Sequence, residues 1–217
     1  MDFSVKRVAD LKDVAQFIAL SISRQLELNK KVLFFVAGGS SVPVAVKVAN
    51  ILKNKSCVNL TVMLTDERYG AINHTDSNWH QLIEQGFGIR EANLIPVLAE
   101  DSHEVTIEKF NKALEKELKA DYKIGLFGVG KDGHTAGIFP DSVALSCRDF
   151  ACGYDVSQFF RITITEKVIE KLDEAIIFTQ GKEKLKVIKS LKKNIDVKKQ
   201  PAQMLKKVPL LTIFTDI

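Results

Sequence analysis

Apolar residues in this chain fall into short continuous runs, separated by stretches where they recur at helical spacing. Val32–Ala37 (VLFFVA) is one such run; it ends at Gly38-Gly39 and predicts a strand buried on both faces. Val44–Leu52 follows, with Val44, Val48, Ile51 and Leu52 on one helical face. Val58–Leu64 is again rich in β-formers and stops at Thr65-Asp66-Glu67-Arg68. Asp76 or Ser77 then stands where a helix carrying Trp79, Leu82 and Ile83 needs its cap. Asn93–Leu98 predicts a short strand, Ser102–Lys119 a long amphipathic helix, and Lys123–Val129 another buried strand.

The pattern loosens beyond residue 130 and then resumes. Arg161–Thr165 reads as a short alternating strand, Ala175–Thr179 as a buried one, Gly181–Lys193 as a helix and Val208–Phe214 as a final strand. At the other end, Phe3–Val8 and Asp10–Asn29 read as a strand and a capped helix. Strands alternating with helices imply parallel pairing, so the fold class is α/β: an open, mostly parallel sheet with helices on both faces. No linker, repeat or low-complexity stretch divides the 217 residues, and one domain over 1–217 is expected.

Composition narrows the function. With 46% hydrophobic residues the chain can bury a proper core, and its net charge of +4 is modest. Eight lysines fall within Gly181–Lys199 against only Glu183 and Asp196. That run lacks arginine and interleaved aromatics, while Leu185, Val187, Ile188 and Leu191 give it an apolar side. It reads as the solvated face of a helix, so no nucleic-acid partner is expected. Cys57, Cys147 and Cys152 are odd in number without C-x-x-C spacing, which argues against a disulfide framework or structural zinc. Charges within MDFSVKRVAD argue against a signal peptide, and no apolar run approaches the roughly 20 residues of a membrane span. A cytoplasmic protein without a membrane partner is the expectation; nothing in the sequence sets an oligomeric state.

In open α/β sheets, ligands bind beyond the carboxyl ends of the strands. Three polar segments directly follow predicted strands: Gly38-Gly39-Ser40-Ser41, Asp66-Glu67-Arg68 and Asp132-Gly133-His134. The first suits a phosphate, since glycines expose backbone N–H groups, hydroxyls add donors and the next helix offers its N-terminus. Without a G-K-[ST] ending it is no nucleoside-triphosphate loop. In the third, a histidine two residues after a carboxylate suits general-base chemistry. Arg68 and Arg161 offer rigid donor forks to an anion, and Arg161 shares a predicted strand face with Thr163 and Thr165. Lys184 falls in the first turn of a predicted helix after a buried strand, where a cation reinforces a phosphate site. Gly128–Gly133 fits G-x-G-x-x-G with Asp149 downstream, yet Gly137 and Pro140 interrupt any helix after it, so no dinucleotide cofactor is expected. His74, His80 and His103 lack metal-ligand spacing.

Together these residues resemble a known family. Ala37–Ser41, Thr65–Arg68, Asp76-Ser77-Asn78, Gly128–Pro140, Arg161–Thr165 and Gly181-x-x-Lys184 look like the ordered motifs of the 6-phosphogluconolactonases. Their superfamily includes the glucosamine-6-phosphate deaminases, which share the Gly-Gly and Asp-Gly-His loops. The deaminase motif carries tyrosine at the place of Arg68, and glutamate at the place of Phe139. The lactonase version is therefore the nearer one. One departure is that the family usually has proline directly after the Gly-Gly-x-[ST] element, where this chain has Val42 and then Pro43. The resemblance implies hydrolysis of 6-phospho-D-glucono-1,5-lactone to 6-phosphogluconate, a step of the oxidative pentose phosphate pathway, with no cofactor or metal. It implies His134 and Asp132 as the catalytic pair. Gly38, Gly39, Ser40, Ser41, Asp66, Arg68, Arg161 and Lys184 become the substrate- and phosphate-binding set. A deaminase-like enzyme, or a sugar-phosphate sensor on the same fold, is the alternative.

Overall fold

A computed structural model describes residues 3–216. Among the described residues ten strands form: β1 (Ser4–Arg7), β2 (Val32–Val36), β3 (Leu60–Leu64), β4 (Asp66–Arg68), β5 (Asn93–Ile95), β6 (Tyr122–Phe127), β7 (Ala151–Val156), β8 (Phe159–Ile164), β9 (Glu174–Thr179) and β10 (Leu210–Thr215). The helices are α1 (Leu11–Glu27), α2 (Val42–Leu52), α3 (Asn78–Glu84), α4 (His103–Glu117), α5 (Glu166–Ile169) and α6 (Leu185–Leu191). Seven strands make one sheet in the order β1-β10-β9-β6-β2-β3-β5. Every pairing in it is parallel.

All five residues of β2 and all six of β9, including Glu174 and Thr179 at its ends, are buried, as strands of a sheet covered on both faces should be. Side chains such as Phe34, Phe35 and Leu33 are wholly enclosed, and each contributes about 1.5–3 kcal/mol by leaving water. The helices begin where the sequence supplies caps. Asp10 accepts from the N–H of Lys12 ahead of α1, and Ser102 from that of Val105 ahead of α4. Between the two candidates for α3 the cap is Ser77, whose hydroxyl accepts from the N–H of His80 at 3.0 Å. Helix α1 buries Val14, Ile18 and Ile22, one residue per turn, and packs against α2.

The strand order fixes where a ligand binds. After β2 the chain crosses through α2 to β3 on one side, whereas after β6 it goes to β9 on the other. With right-handed crossovers, α1 and α2 cover one face of the sheet and α4 and α6 the opposite face. Neighbouring strands β2 and β6 thus part company at their carboxyl ends. That divergence opens a crevice at the topological switch point.

The alternating pattern did not predict a second, antiparallel sheet, β4-β8-β7. Thr65 is its pivot: its N–H donates to Val36 O at 3.0 Å in the large sheet, and its carbonyl accepts from Ile164 N at 2.9 Å in the small one. Asp66–Arg68, expected as a loop, is therefore a three-residue strand, and Arg161–Thr165 belongs to an antiparallel strand that stops at Ile164. Thr165 instead leads into α5. The helix expected over Gly181–Lys193 is a 3₁₀ turn at Lys182–Lys184 followed by α6. Other expected elements end within two or three residues of their observed limits, where helix and strand boundaries commonly shift.

Candidate active site

Four post-strand segments meet at the crevice. Gly38-Gly39-Ser40-Ser41 leaves β2 as a 3₁₀ turn running directly into α2, and Pro43 sits in the first turn of that helix. A proline one residue later than the family pattern is accommodated there, where its missing N–H has no helical partner to lose. Gly38 is needed for proximity: a Cβ would fall 2.0 Å from Oδ1 of Asn78.

Asp66 and Arg68 come from β4. Antiparallel register sets Arg68 opposite Arg161 on β8. Two like charges directly opposite repel, so the pair needs a counter-charge. Asp66 supplies part of it, with Oδ2 accepting from Arg161 Nη1 at 3.0 Å; both side chains are largely enclosed. Arg68 Nη1 donates to the carbonyl of Asp76 at 2.7 Å, and both guanidinium groups lie over the ring of Phe159. Among the described residues, Nε of Arg68, Nε of Arg161 and Oδ1 of Asn78 are among the buried polar atoms without a hydrogen-bond partner. Polar groups left unpaired around one crevice are of the kind a bound ligand satisfies.

The Gly128–Pro140 segment opens no helix. It folds back on itself through Gly130 N to His134 O (2.8 Å) and a Thr135–Ile138 bridge. Ala136 is held at φ 51° while its carbonyl accepts from the hydroxyl of Thr163. His134 Nδ1 lies 2.6 Å from Asp132 Oδ1, which also accepts the backbone N–H of His134 at 3.1 Å. Burial pushes the Asp132 carboxyl upward, but His134, through its backbone N–H, its charge and its ring bond, brings it below the ordinary aspartate value. A carboxylate on Nδ1 selects the tautomer with its proton there, which leaves Nε2 as acceptor. Gly130 makes room for this ring, since a Cβ would fall 2.1 Å from Nδ1.

Lys184, at the end of the turn after β9, donates from Nζ to the carbonyl of Val129 at 2.7 Å. This bond to a neutral acceptor leaves its positive charge at the crevice. Gly38, Gly39, Ser40, Asp66, Arg68, His134, Arg161 and Lys184 thus line one cleft of about 220 Å³, together with Asn78 and loop backbone. Two expected residues do not line it: Asp132 stands beyond the imidazole, and Ser41 is wholly buried with Gly128 near its hydroxyl. Thr163 and Thr165 spend their hydroxyls on backbone carbonyls, including Thr165 on Asp149 O at 2.6 Å.

Sequence reasoning passed over Glu67 and gave Asn78 no role. Glu67 is fully buried, and its carboxylate accepts from Arg68 N (2.7 Å), Asn78 N (2.6 Å), Trp79 N (3.0 Å) and Ser77 Oγ (2.9 Å). Burial pushes its carboxyl above the ordinary glutamate value against the pull of those four donors. It thus binds β4 to the first turn of α3. Asn78 completes the junction by donating from Nδ2 to Asp66 O at 2.9 Å. The sequence shows an acid followed ten residues later by a Ser-Asn helix start, but nothing in that spacing turns the acid inward. Among the described residues no group of three or more His, Cys, Asp or Glu is placed to hold a metal ion, and no helix is long and apolar enough to cross a membrane.

Known proteins resemble this chain in sequence and in fold. A 6-phosphogluconolactonase of Helicobacter pylori is 28% identical over 158 residues, covering 67% of this chain and 68% of that protein. Among solved structures, a 6-phosphogluconolactonase from Shewanella baltica superposes with a TM-score of 0.84 at 21% identity, covering 99% of this chain and 98% of the other. One from Thermotoga maritima gives 0.83 at 22% identity, with 99% of both chains covered. At such identities the structural likeness is one of fold. The family model for glucosamine-6-phosphate isomerases/6-phosphogluconolactonase matches residues 7–212, nearly the whole chain, and the protein belongs to that family.

Proposed function

We propose that this protein is a 6-phosphogluconolactonase, hydrolysing 6-phospho-D-glucono-1,5-lactone to 6-phosphogluconate with water activated by His134. The observation that carries the reading is the His134–Asp132 pair opening into a cleft that also holds Arg68, Arg161 and Lys184. The Gly38–Ser40 turn, Arg161 and Lys184 hold the 6-phosphate, and Asp66 keeps the Arg161 fork in place. His134 Nε2 takes a proton from water as the water oxygen attacks the lactone carbonyl carbon. Negative charge on the carbonyl oxygen meets the Arg68 guanidinium or loop N–H groups lining the cleft. The tetrahedral centre collapses by breaking its bond to the ring oxygen, and His134 returns the proton to that oxygen. The new carboxylic acid, holding the second proton of the water, releases it to solvent, so the product carries a carboxylate and a free hydroxyl.

The family also contains isomerases, so the choice rests on residues. Arg68 gives the cleft a third cation, and Phe139 presents a stacked hydrocarbon ring to His134 where ring opening of an amino sugar calls for a second acid–base group. A sensor would need the phosphate contacts but not a carboxylate-tuned histidine. With no membrane-crossing helix among the described residues and three free cysteines, a cytoplasmic location belongs to the same proposal. The test is acid release when purified protein meets freshly made lactone, corrected for spontaneous hydrolysis. Release that scales with protein concentration is expected; a rate equal to the protein-free control refutes the reading.

A further inference from the structure

The Asp132 hydrogen bond restrains the His134 ring at Nδ1, but both side chains are partly exposed, so the pair is free to move together. Coupled rotation about Cα–Cβ and Cβ–Cγ then tilts the imidazole plane and sweeps Nε2 through the cleft. Phe139 removes this freedom. Its ring lies against the imidazole at a centroid distance of 4.2 Å and an interplanar angle of 22°. A contact this close to parallel fixes the plane that the hydrogen bond leaves open. Phe139 is itself anchored by neighbours. Its backbone N–H meets the Tyr154 hydroxyl at 3.2 Å, and that hydroxyl donates to the carbonyl of Gly137 at 2.5 Å. Tyr154 is buried on β7, directly opposite Arg161 in register, so the small sheet braces the loop. The guanidinium of Arg161 also lies 5.3 Å from the centre of the Phe139 ring.

From this arrangement we propose that Phe139 is a positioning residue for catalysis. It acts by holding the plane of His134 so that Nε2 faces the attacking water, and the small antiparallel sheet supplies its support through Tyr154. The inference rests on the reading of His134 as general base. It makes a demand that a merely space-filling phenylalanine would not meet. Loss of the flat ring lowers kcat, because Nε2 is misplaced in the transition state, and leaves KM nearly unchanged, because the phosphate contacts stay in place. An imidazole mis-set by about 1 Å costs up to 10²-fold in rate.

The experiment compares native protein, Phe139→Leu, Phe139→Tyr and His134→Ala on the phospholactone, with thermal unfolding of each as a check of folding. Phe139→Leu is expected to lose about 10- to 100-fold in kcat with KM within about threefold of native. Phe139→Tyr keeps the flat ring and is expected to stay within about threefold in both constants. A Phe139→Leu protein that folds and retains native kcat overturns the proposal, as does a loss confined to KM, which would assign Phe139 to Arg161 instead. A Leu variant that fails to fold leaves the test with Phe139→Tyr and Phe139→His: kcat reduced in both flat-ring variants overturns it, and kcat preserved in both supports it. His134→Ala separates the two layers of argument. If His134→Ala turns over normally, the general-base reading has failed; if it is inactive while Phe139→Leu is unaffected, only the positioning role has failed.

Discussion

Replacing Glu67 with glutamine should cost more stability than any other isosteric change near the cleft. Each oxygen of the native carboxylate accepts two donors, Arg68 N and Asn78 N on Oε1, and Ser77 Oγ and Trp79 N on Oε2. An amide in the same place must put its NH₂ against one of these pairs. At Oε1 it strands two backbone N–H groups. At Oε2 the Ser77 hydroxyl turns to accept, and one backbone N–H is stranded. Each buried donor left unpaired costs about 1–3 kcal/mol; the remaining bonds weaken to neutral ones, and relief of the buried charge, which holds the Glu67 carboxyl above its ordinary value, offsets that weakening. The cheaper placement therefore gives a loss of about 1–3 kcal/mol, against a total stability of about 5–15 kcal/mol for a typical domain. Urea unfolding should report a lower midpoint at unchanged m-value, and Tm should fall by about 2–12 °C at the usual sensitivity for this chain length. Glu84→Gln, on the exposed side of the same helix, serves as control and should stay within about 0.5 kcal/mol. A loss below about 0.5 kcal/mol for Glu67→Gln would show that the carboxylate does not bind β4 to α3.

Three further outcomes are expected. Unphosphorylated gluconolactone should be a far poorer substrate, and Arg161→Ala or Lys184→Ala should each lower the specificity constant for the phosphorylated lactone by about 10- to 100-fold, the equivalent of one charge-assisted hydrogen bond at about 1.5–3 kcal/mol; equal rates of the native protein on both lactones would contradict the phosphate site. Asp132 lies below its ordinary pKa, so its bond to His134 adds stability that is present at neutral pH and lost as the pH falls from about 3.9 through the lower folded value. The Tm gap between native protein and Asp132→Asn should accordingly close in acid, and a gap constant down to pH 2 would speak against the pair. Dialysis against a strong chelator should leave the rate of lactone hydrolysis unchanged, since the proposed mechanism has His134 activate water without a Lewis acid; activity lost on chelation and restored by a divalent ion would reassign Asp132 and His134 to a metal.

The parallel sheet was legible because its strands announce themselves. Val32–Val36 and Ala175–Thr179 are apolar without interruption, and only a doubly covered strand tolerates that. From those strands alone, the carboxyl-edge rule gathered Gly38–Ser41, Asp66–Arg68 and Asp132–His134 into one place, and the coordinates put residues from each around one cleft. What escaped was structure held by tertiary contacts. Strand β7 reads ACGYDV, with Gly153 and Asp155 breaking any period, and it exists because β8 pairs with it and α4 covers it. Three residues of β4 are too few to show a pattern. Glu67 was invisible for a related reason. Its four donors come from its neighbour and from a helix ten residues away, and spacing does not disclose that a charged side chain between Asp66 and Arg68 points inward. Phe139 entered the sequence argument only as the absence of an acid, whereas its ring proves to stack on the imidazole.

The central claim is that His134 activates the water that opens the lactone. Its most direct test is the turnover rate of His134→Ala on freshly prepared 6-phosphogluconolactone, measured by acid release beside native protein, with binding of the product 6-phosphogluconate measured on both. The account predicts a fall of about 10²–10⁴-fold in kcat, the usual range for loss of a general base, with product affinity essentially unchanged. A variant that turns over within a few-fold of native would contradict it.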